Sequence, residues 1–174
     1  IFGWKVIGQV PPGSKFVIVG APHTSNWDLP FTLAATYILR LKISWMGKSS
    51  LFKKPFGGIM RWLGGVAINR DRENGVVGQT AKQFEAVDKM ALAISPSGSR
   101  KGQQRWKSGF YWIAHTAQVP LVCGYLDYQS KTACLGLAFV PTGDVDKDME
   151  RVRLFYAGIK GKYPATQGDI LLAD

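Results

Sequence analysis

Short apolar, β-branched runs alternate along this chain with longer segments of helical periodicity, and that alternation restricts the fold more than any other feature. Residues 16–20 (Phe-Val-Ile-Val-Gly) form a continuous run of the kind expected for a strand buried on both faces. Residues 91–95 form a second short run of this kind. Alternation of this type predicts an α/β fold in which a mixed, mainly parallel sheet is flanked by helices.

The other expected elements follow from the same periodicities. Two strand-like runs, at residues 119–127 and 132–140, are separated by a polar turn and predict an antiparallel pair near the end of the sheet. Further strands are expected at residues 4–10, 42–46 and 66–69, and helices at residues 26–41, 50–63, 75–90, 105–118 and 144–162. No linker or repeat interrupts the pattern, so residues 1–174 are interpreted as a single domain.

Composition excludes several classes of protein. Apolar residues make up 46% of the chain and charged residues 20%, which excludes a disordered chain, a collagen-like fibre and a coiled coil. Two cysteines, Cys123 and Cys134, are too few for a disulfide framework and lack metal-ligand spacing. Both lie in apolar, strand-like runs, so we expect them to be buried and reduced.

The charge balance is the first indication of a partner. Twenty-two Lys and Arg residues against twelve Asp and Glu give a formal net charge of +10 and a sequence pI near 9.8. Such a chain favours polyanions, namely nucleic acid, an anionic membrane surface or phosphorylated small molecules. Composition alone does not choose among these three.

No run of about 18 uninterrupted apolar residues occurs, so no transmembrane helix is predicted. The chain begins at Ile1 rather than Met, which leaves open an anchor in a preceding segment. Residues 48–63 mix lysines and Arg61 with large apolar side chains. That mixture suits an interfacial helix on an anionic membrane, a channel beside a phosphate site, or a helix simply packed on the sheet.

His23 is the strongest candidate for chemistry. It follows the apolar strand at residues 16–20, and Asp28 stands in the first turn of the next expected helix. A carboxylate that folds back onto a histidine forms the minimal general-base unit, because it fixes the ring tautomer and stabilises the imidazolium. The alternative is that Asp28 only complements the helix N-terminus, worth about 0.3–1 kcal/mol. His115 lies in the middle of an expected helix and is interpreted as structural.

Two arginines follow strand-like runs. Arg70 ends the run at residues 66–69, and Arg100 follows the Gly- and Ser-containing turn at residues 95–99. Short turns after strands expose backbone N–H groups to anions, and an arginine fork suits phosphate. The two arginines therefore indicate a phosphorylated substrate. The alternative is that Arg70 pairs with a nearby acid such as Asp71 and that Arg100 is solvated.

Four motifs in order resemble those of the glycerolipid acyltransferase family, which includes the lysophosphatidic acid acyltransferases. Residues 23–28 resemble its His-x4-Asp motif, and residues 64–70 resemble its glycine, apolar strand and arginine. Residues 95–100 (Ser-Pro-Ser-Gly-Ser-Arg) resemble its third motif, usually Pro-Glu-Gly-Thr-Arg, and residues 119–122 resemble its proline-bearing strand. One His-x4-Asp is a weak signal, whereas four ordered motifs are a strong one.

The resemblance implies a function and a site. Members of the family transfer a fatty acyl chain from a coenzyme A or acyl carrier protein thioester to a hydroxyl, commonly on a lysophospholipid. Carried over, this implies His23 as general base and Asp28 as its orienting partner, with no metal or bound cofactor. It implies a substrate-binding set in which the two arginines hold the acceptor phosphate, comprising Arg70, Ser97, Gly98, Ser99 and Arg100. Localisation is expected to be cytoplasmic, peripherally associated with the cytoplasmic membrane.

One departure from the family pattern leaves an alternative open. Ser97 stands where the third motif usually has glutamate, and Ser99 stands for the usual threonine. Loss of the carboxylate is consistent with a non-catalytic module that binds phospholipid or acyl chains on the same fold. A nucleic-acid-binding protein is the second alternative, motivated by the charge. It is disfavoured because the basic residues are spread along the chain and no nucleic-acid-binding motif occurs.

Overall fold

The computed structural model describes residues 3–68, 75–97 and 105–172. Seven strands form one sheet in the order β1-β7-β6-β2-β5-β3-β4. The strands are β1 (Lys5–Gly8), β2 (Lys15–Gly20), β3 (Ile43–Lys48), β4 (Gly65–Ile68), β5 (Met90–Ile94), β6 (Leu121–Asp127) and β7 (Thr132–Phe139). The helices are α1 (Asp28–Ile38), α2 (Gly57–Trp62), α3 (Gly75–Ala86), α4 (Gly109–Thr116) and α5 (Val145–Tyr156), with short 3-10 helices at Ser49–Phe52 and Pro164–Thr166.

All neighbouring strands are parallel except β6 and β7, which run antiparallel. The predicted α/β class, with a mixed, mainly parallel sheet flanked by helices, is therefore confirmed, and so is the antiparallel pair. The central strand β2 pairs with β5 from Lys15 to Val19 and with β6 from Val17 to Gly20. The carboxyl ends of these three strands consequently meet at one edge of the sheet, where sites form in folds of this class.

The two faces of the sheet are covered unequally. On one face, β2 side chains such as Val17 and Val19 pack in a large core with α3, α4 and α5. The alternate β2 residues, Phe16 and Ile18, point to the other face and form a smaller cluster near the end of α1. The helices on this second face, α1 with 11 residues and α2 with six, cover less of the sheet than the three helices on the other face do, so there is room for a cavity.

Several expectations differ from the structure. Helix α4 begins at Gly109 rather than residue 105, because Trp106 is drawn into a bridge with Leu172 instead. Helix α5 ends at Tyr156 rather than residue 162, because Gly158 adopts φ = +80°, which a helix cannot continue through. Cys134 is half-buried rather than buried, although both cysteines are free as expected.

The expected helix at residues 50–63 is divided by residues 53–56 into the 3-10 helix and the short α2. In the part of the chain that the structure describes, no helix has the length and apolar character needed to cross a bilayer.

Candidate active site

His23 and Asp28 lie in contact at the carboxyl edge of the sheet. β2 ends at Gly20, three residues before His23, and α1 begins at Asp28. His23 Nδ1 lies 2.9 Å from Asp28 Oδ2, and the two side chains are 30% and 6% exposed. The first-turn carboxylate thus folds back onto the histidine, and only the histidine is open to a substrate.

The loop between these two residues binds the carboxylate through its backbone. Thr24 and Ser25 each donate an N–H to Asp28 Oδ2 over 3.0 Å. Ser25 Oγ in turn accepts the N–H of Trp27 over 3.1 Å, which holds the entry to α1. With four residues between His23 and Asp28, one carboxylate oxygen, Oδ2, therefore lies within reach of three donors, two from the backbone and one from His23.

Tyr128 completes the site, and sequence reasoning missed it. Its hydroxyl donates to Asp28 Oδ1 over 2.7 Å. Tyr128 directly follows β6, the strand beside β2, so it stands at the same edge of the sheet as His23. The position of Tyr128 directly after an expected strand was the signal available in the sequence. Side chains that follow the carboxyl ends of adjacent parallel strands lie close together.

These hydrogen bonds decide the charge of Asp28. Burial acts to raise the pKa of Asp28, but the hydrogen bonds from His23, Ser25 and Tyr128 together with the charge of His23 outweigh it, so the pKa lies below its ordinary value. Asp28 is therefore an anion that only accepts hydrogen bonds. The hydrogen in its bond to His23 is consequently carried by Nδ1 of the ring. The other ring nitrogen, Nε2, is left to accept a proton.

A cavity of about 490 Å³ lies on the α1 face of the sheet, and His23 and Asp28 are part of its wall. The rest of the wall is mainly apolar: it combines one face of α1, including Leu29, Ala35 and Leu39, with sheet residues such as Ile18, Ala93 and Leu135. Because Leu29 is also 59% exposed, the cavity opens to the outside along the helix. Its size and lining suit an alkyl chain beside the histidine.

His23 also borders a second, small pocket on its other side. Ser97 and the chain-end residues Thr166 and Gln167 line this pocket. Ser97 Oγ lies 3.1 Å from Ser95 Oγ, and Ser95 lines the apolar cavity. The predicted residue Ser97 is thus brought to the histidine. The predicted residues Arg70, Gly98, Ser99 and Arg100 lie outside the described residues.

The segment that was expected to extend α5 instead packs on the histidine loop. Gly161 is buried so close to this loop that an added Cβ would lie 2.7 Å from Thr24 Oγ1. Lys162 Nζ lies 5.0 Å from the ring of Trp27, at the start of α1. The segment after α5 therefore contributes to the surroundings of the site.

Ser25 and the two cysteines are poorly suited to covalent catalysis. Ser25 is 4% exposed, and its Oγ is engaged with the N–H of Trp27. Burial raises the pKa of the Cys123 thiol to about 12, and it raises that of Cys134 as well. Over residues 3–68, 75–97 and 105–172, no group of three or more His, Cys, Asp or Glu is placed to hold a metal ion.

Comparison with curated proteins finds relatives of one kind. The chain is 27% identical over 132 residues to a 1-acyl-sn-glycerol-3-phosphate acyltransferase of Haemophilus influenzae, a match that covers 70% of this chain and 53% of that protein. The protein of the same name from Escherichia coli is also 27% identical over 132 residues, covering 70% of this chain and 52% of that protein. The chain therefore spans about half the length of these relatives.

A solved structure shares the fold. The 1-acyl-sn-glycerophosphate (LPA) acyltransferase of Thermotoga maritima superposes with a TM-score of 0.60 at 17% identity, over 84% of this chain and 67% of that one. No family model matches the chain. The resemblance predicted from the four ordered motifs is confirmed by these relatives.

Proposed function

We propose that this chain carries the catalytic site of an O-acyltransferase. It moves a fatty acyl chain from a coenzyme A or acyl carrier protein thioester to a hydroxyl of a lysophospholipid-type acceptor, with lysophosphatidic acid as the first candidate. The observation that carries the proposal is the His23–Asp28 pair in the wall of a large apolar cavity. The names of the curated relatives support the same reaction.

In this mechanism His23 is the general base. Nε2 takes the proton of the acceptor hydroxyl as its oxygen attacks the thioester carbonyl, while Asp28 holds Nδ1–H. The new C–O bond forms the ester, the C–S bond breaks, and the imidazolium returns its proton to the departing thiolate. General-base catalysis of this kind supplies about 10²–10⁴-fold. Positioning of both substrates supplies much of the remainder.

Transfer is direct in this proposal, without an acyl-enzyme. Thr24 and Ser25 carry the hydroxyls closest in sequence to His23, but both residues are buried. Their oxygens accept the N–H groups of Tyr163 and Trp27, which opposes a role as nucleophile for either. Cys123 is a poor nucleophile because burial keeps its thiol protonated. A ternary arrangement, with the acyl chain in the cavity and the acceptor beside His23, needs none of these residues.

The acceptor phosphate is assigned on the resemblance. Arg70 and Arg100 would hold it, and backbone N–H groups near Gly98 would stabilise the oxyanion. Ser97, which does lie in the described part of the chain, borders the small pocket beside His23. That placement supports an acceptor site on the side of the histidine away from the apolar cavity.

We also propose that the protein works on an anionic membrane surface, at the cytoplasmic face. Large side chains are exposed on α2 and on the outer side of α1, among them Trp62 at 81% and Tyr37 at 86%. Lys53 and Lys54 are exposed just before α2. Aromatic and basic side chains exposed together favour the headgroup region of an anionic bilayer.

Ser97 decides between an enzyme and a binding module. A carboxylate at residue 97 would orient Arg100 or bond to the acceptor's free hydroxyl, whereas serine has a shorter reach. Loss of orientation slows transfer more than it weakens binding. We therefore expect measurable but modest turnover, and a higher kcat with little change in acceptor affinity for Ser97→Glu.

The test uses the protein as it stands and its Ser97→Glu variant. Both are assayed with one acyl thioester and lysophosphatidic acid, following thiol release and identifying the lipid product by mass spectrometry. Transfer to the acceptor by the unmodified protein supports the proposal, whereas transfer by the variant alone would identify the unmodified chain as the binding module. Binding of lipid by both proteins without turnover would establish the binding module instead. A faster serine form would indicate adaptation to another acceptor.

A further inference from the structure

We propose that Tyr128 is a positioning residue for the catalytic histidine, acting through Asp28. This inference rests on the proposed function and adds a residue that none of the four motifs contains. The hydroxyl of Tyr128 donates to Asp28 Oδ1, while Oδ2 faces His23. The tyrosine thereby fixes which carboxylate oxygen the histidine meets and in which plane.

The two oxygens of Asp28 are held by different numbers of donors. Oδ2 receives the backbone N–H groups of Thr24 and Ser25 in addition to His23 Nδ1. Within the described residues, Tyr128 is the one donor found for Oδ1. Without its hydroxyl, that oxygen is buried with no partner, which is costly for an anion. The carboxyl plane is then free to turn towards other donors, and the histidine turns with it.

The tyrosine ring is itself clamped. Trp4, just before β1, contacts it edge-on with ring centroids 5.0 Å apart, and Phe31 of α1 does so at 5.9 Å. Trp4 and Phe31 also stack on each other at 4.4 Å. Phe31 lies one helical turn after Asp28, so the clamp and the carboxylate belong to the same rigid helix. The hydroxyl therefore has little freedom to leave Oδ1.

The hydroxyl of Tyr128 is a permanent hydrogen-bond donor to Asp28. Burial raises the pKa of Tyr128, and the hydrogen bond to Asp28 and the charge of that carboxylate raise it further. The phenol consequently stays protonated wherever the enzyme works, and no proton moves along the Tyr128–Asp28 bond. Its contribution is geometric and electrostatic.

The chain offers a matched control for this bond. Tyr111 donates its hydroxyl to Asp148 Oδ2 over 2.9 Å, a second buried tyrosine–aspartate hydrogen bond. This bond lies at the edge of the sheet opposite to His23. Asp148 accepts the N–H of Thr142, which follows the end of β7. The last residue of β7, Phe139, pairs with the first residue of β6, Leu121. Tyr111→Phe thus removes a buried tyrosine–aspartate hydrogen bond, together with the bond that this hydroxyl accepts from the N–H of Gly143, without touching the site.

The experiment compares the unmodified protein, Tyr128→Phe and Tyr111→Phe by two readouts. The first is steady-state transfer to lysophosphatidic acid. The second is the imidazole Nδ1–H proton resonance of His23, measured by NMR without substrate and assigned by its loss in His23→Gln. For Tyr128→Phe we expect kcat to fall by about tenfold with KM for both substrates unchanged, and the resonance to shift or broaden. Tyr111→Phe should lower stability but leave kcat and the resonance unchanged.

The two readouts separate failure of this inference from failure of the proposed function. A shifted resonance in Tyr128→Phe, in a protein that transfers acyl groups to no acceptor, would uphold the positioning and reject acyl transfer. Unchanged kcat and resonance in Tyr128→Phe would overturn the positioning and leave acyl transfer standing. Equal losses of kcat in the two tyrosine variants, with the resonance unchanged, would assign Tyr128 a merely structural part and overturn the inference as well.

Discussion

Tyr163 donates its backbone N–H to Oγ1 of Thr24 over 3.2 Å, across 139 positions of the sequence. Thr24 is the residue after His23, and its own N–H donates to the carboxylate of Asp28. The segment after α5 therefore supports the histidine loop from outside the motifs. Its contribution is accessible to mutation, because Gly161 lies in the same contact.

Gly161→Ala should impair the site. A Cβ there would lie 2.7 Å from Thr24 Oγ1 and 3.1 Å from Pro22 Cγ, so the loop must move. We expect a several-fold loss of kcat and a stability loss of about 1–3 kcal/mol, as for other overpacked positions. Gly109→Ala is the control, since nothing lies within 4 Å of a Cβ at the start of α4. Equal kcat values for the two variants would show that the contact does not support the site.

Ala35→Leu should shorten the acyl chain that the enzyme accepts. Ala35 on α1 lines the apolar cavity, whereas its neighbour Ala34 does not. The added carbons of leucine reduce the volume available to an alkyl chain. We expect kcat/KM to fall for long acyl thioesters and to change little for short ones, with Ala34→Leu as the control. Identical chain-length profiles for the two variants would place the acyl chain elsewhere.

The ionised Asp28 should contribute stability that depends on pH. Its folded pKa lies below its ordinary value, so this contribution is fully present above the unfolded pKa of about 3.9 and is lost as pH falls through the folded value. The free energy of unfolding of the unmodified protein should therefore fall more steeply than that of Asp28→Asn below about pH 4. Urea denaturation between pH 3 and pH 7 measures this difference. Parallel curves for the two proteins would contradict the assignment.

Reversal of the charges before α2 should weaken membrane binding. Each basic side chain near an anionic leaflet contributes about 1 kcal/mol, and salt screens it. Lys53→Glu with Lys54→Glu should reduce binding to phosphatidylglycerol-containing liposomes and its dependence on salt. Lys82→Glu with Lys89→Glu makes the same charge change at exposed positions on and just after α3, which covers the opposite face of the sheet. Binding is measured by liposome sedimentation. Equal binding by both double variants would show that Lys53 and Lys54 do not contribute to the membrane contact.

The fold was predictable because its determinants are local. Apolar runs such as residues 16–20 are strands buried on both faces wherever they pack, and the polar turn before β7 returns the chain antiparallel. The approach of Asp28 to His23 was equally local, since a first-turn carboxylate lies within reach of the loop before its helix. The early end of α5 was missed, because Gly158 could also have been an exposed helical glycine.

The remainder of the site depends on contacts that are distant in sequence. Tyr128 meets Asp28 across 100 positions, and only the strand order, which places β6 beside β2, brings them together. The cavity arises because only short helices, α1 and α2, cover the second face of the sheet in the part of the chain that the structure describes, which is a property of packing rather than of any segment. The catalytic roles of His23 and Asp28 stay predictions until they are measured.

His23 is proposed as the general base of an acyl transfer, and the chain's second histidine provides a direct control for that role. Thiol release from an acyl thioester in the presence of lysophosphatidic acid is measured for the unmodified protein, His23→Gln and His115→Gln. His115 lies on α4, in contact with Tyr111 and Trp112 and away from the cavity. We predict that His23→Gln lowers kcat by about 10²-fold or more, whereas His115→Gln leaves kcat unchanged. Near-normal turnover by His23→Gln would show that His23 is not the general base.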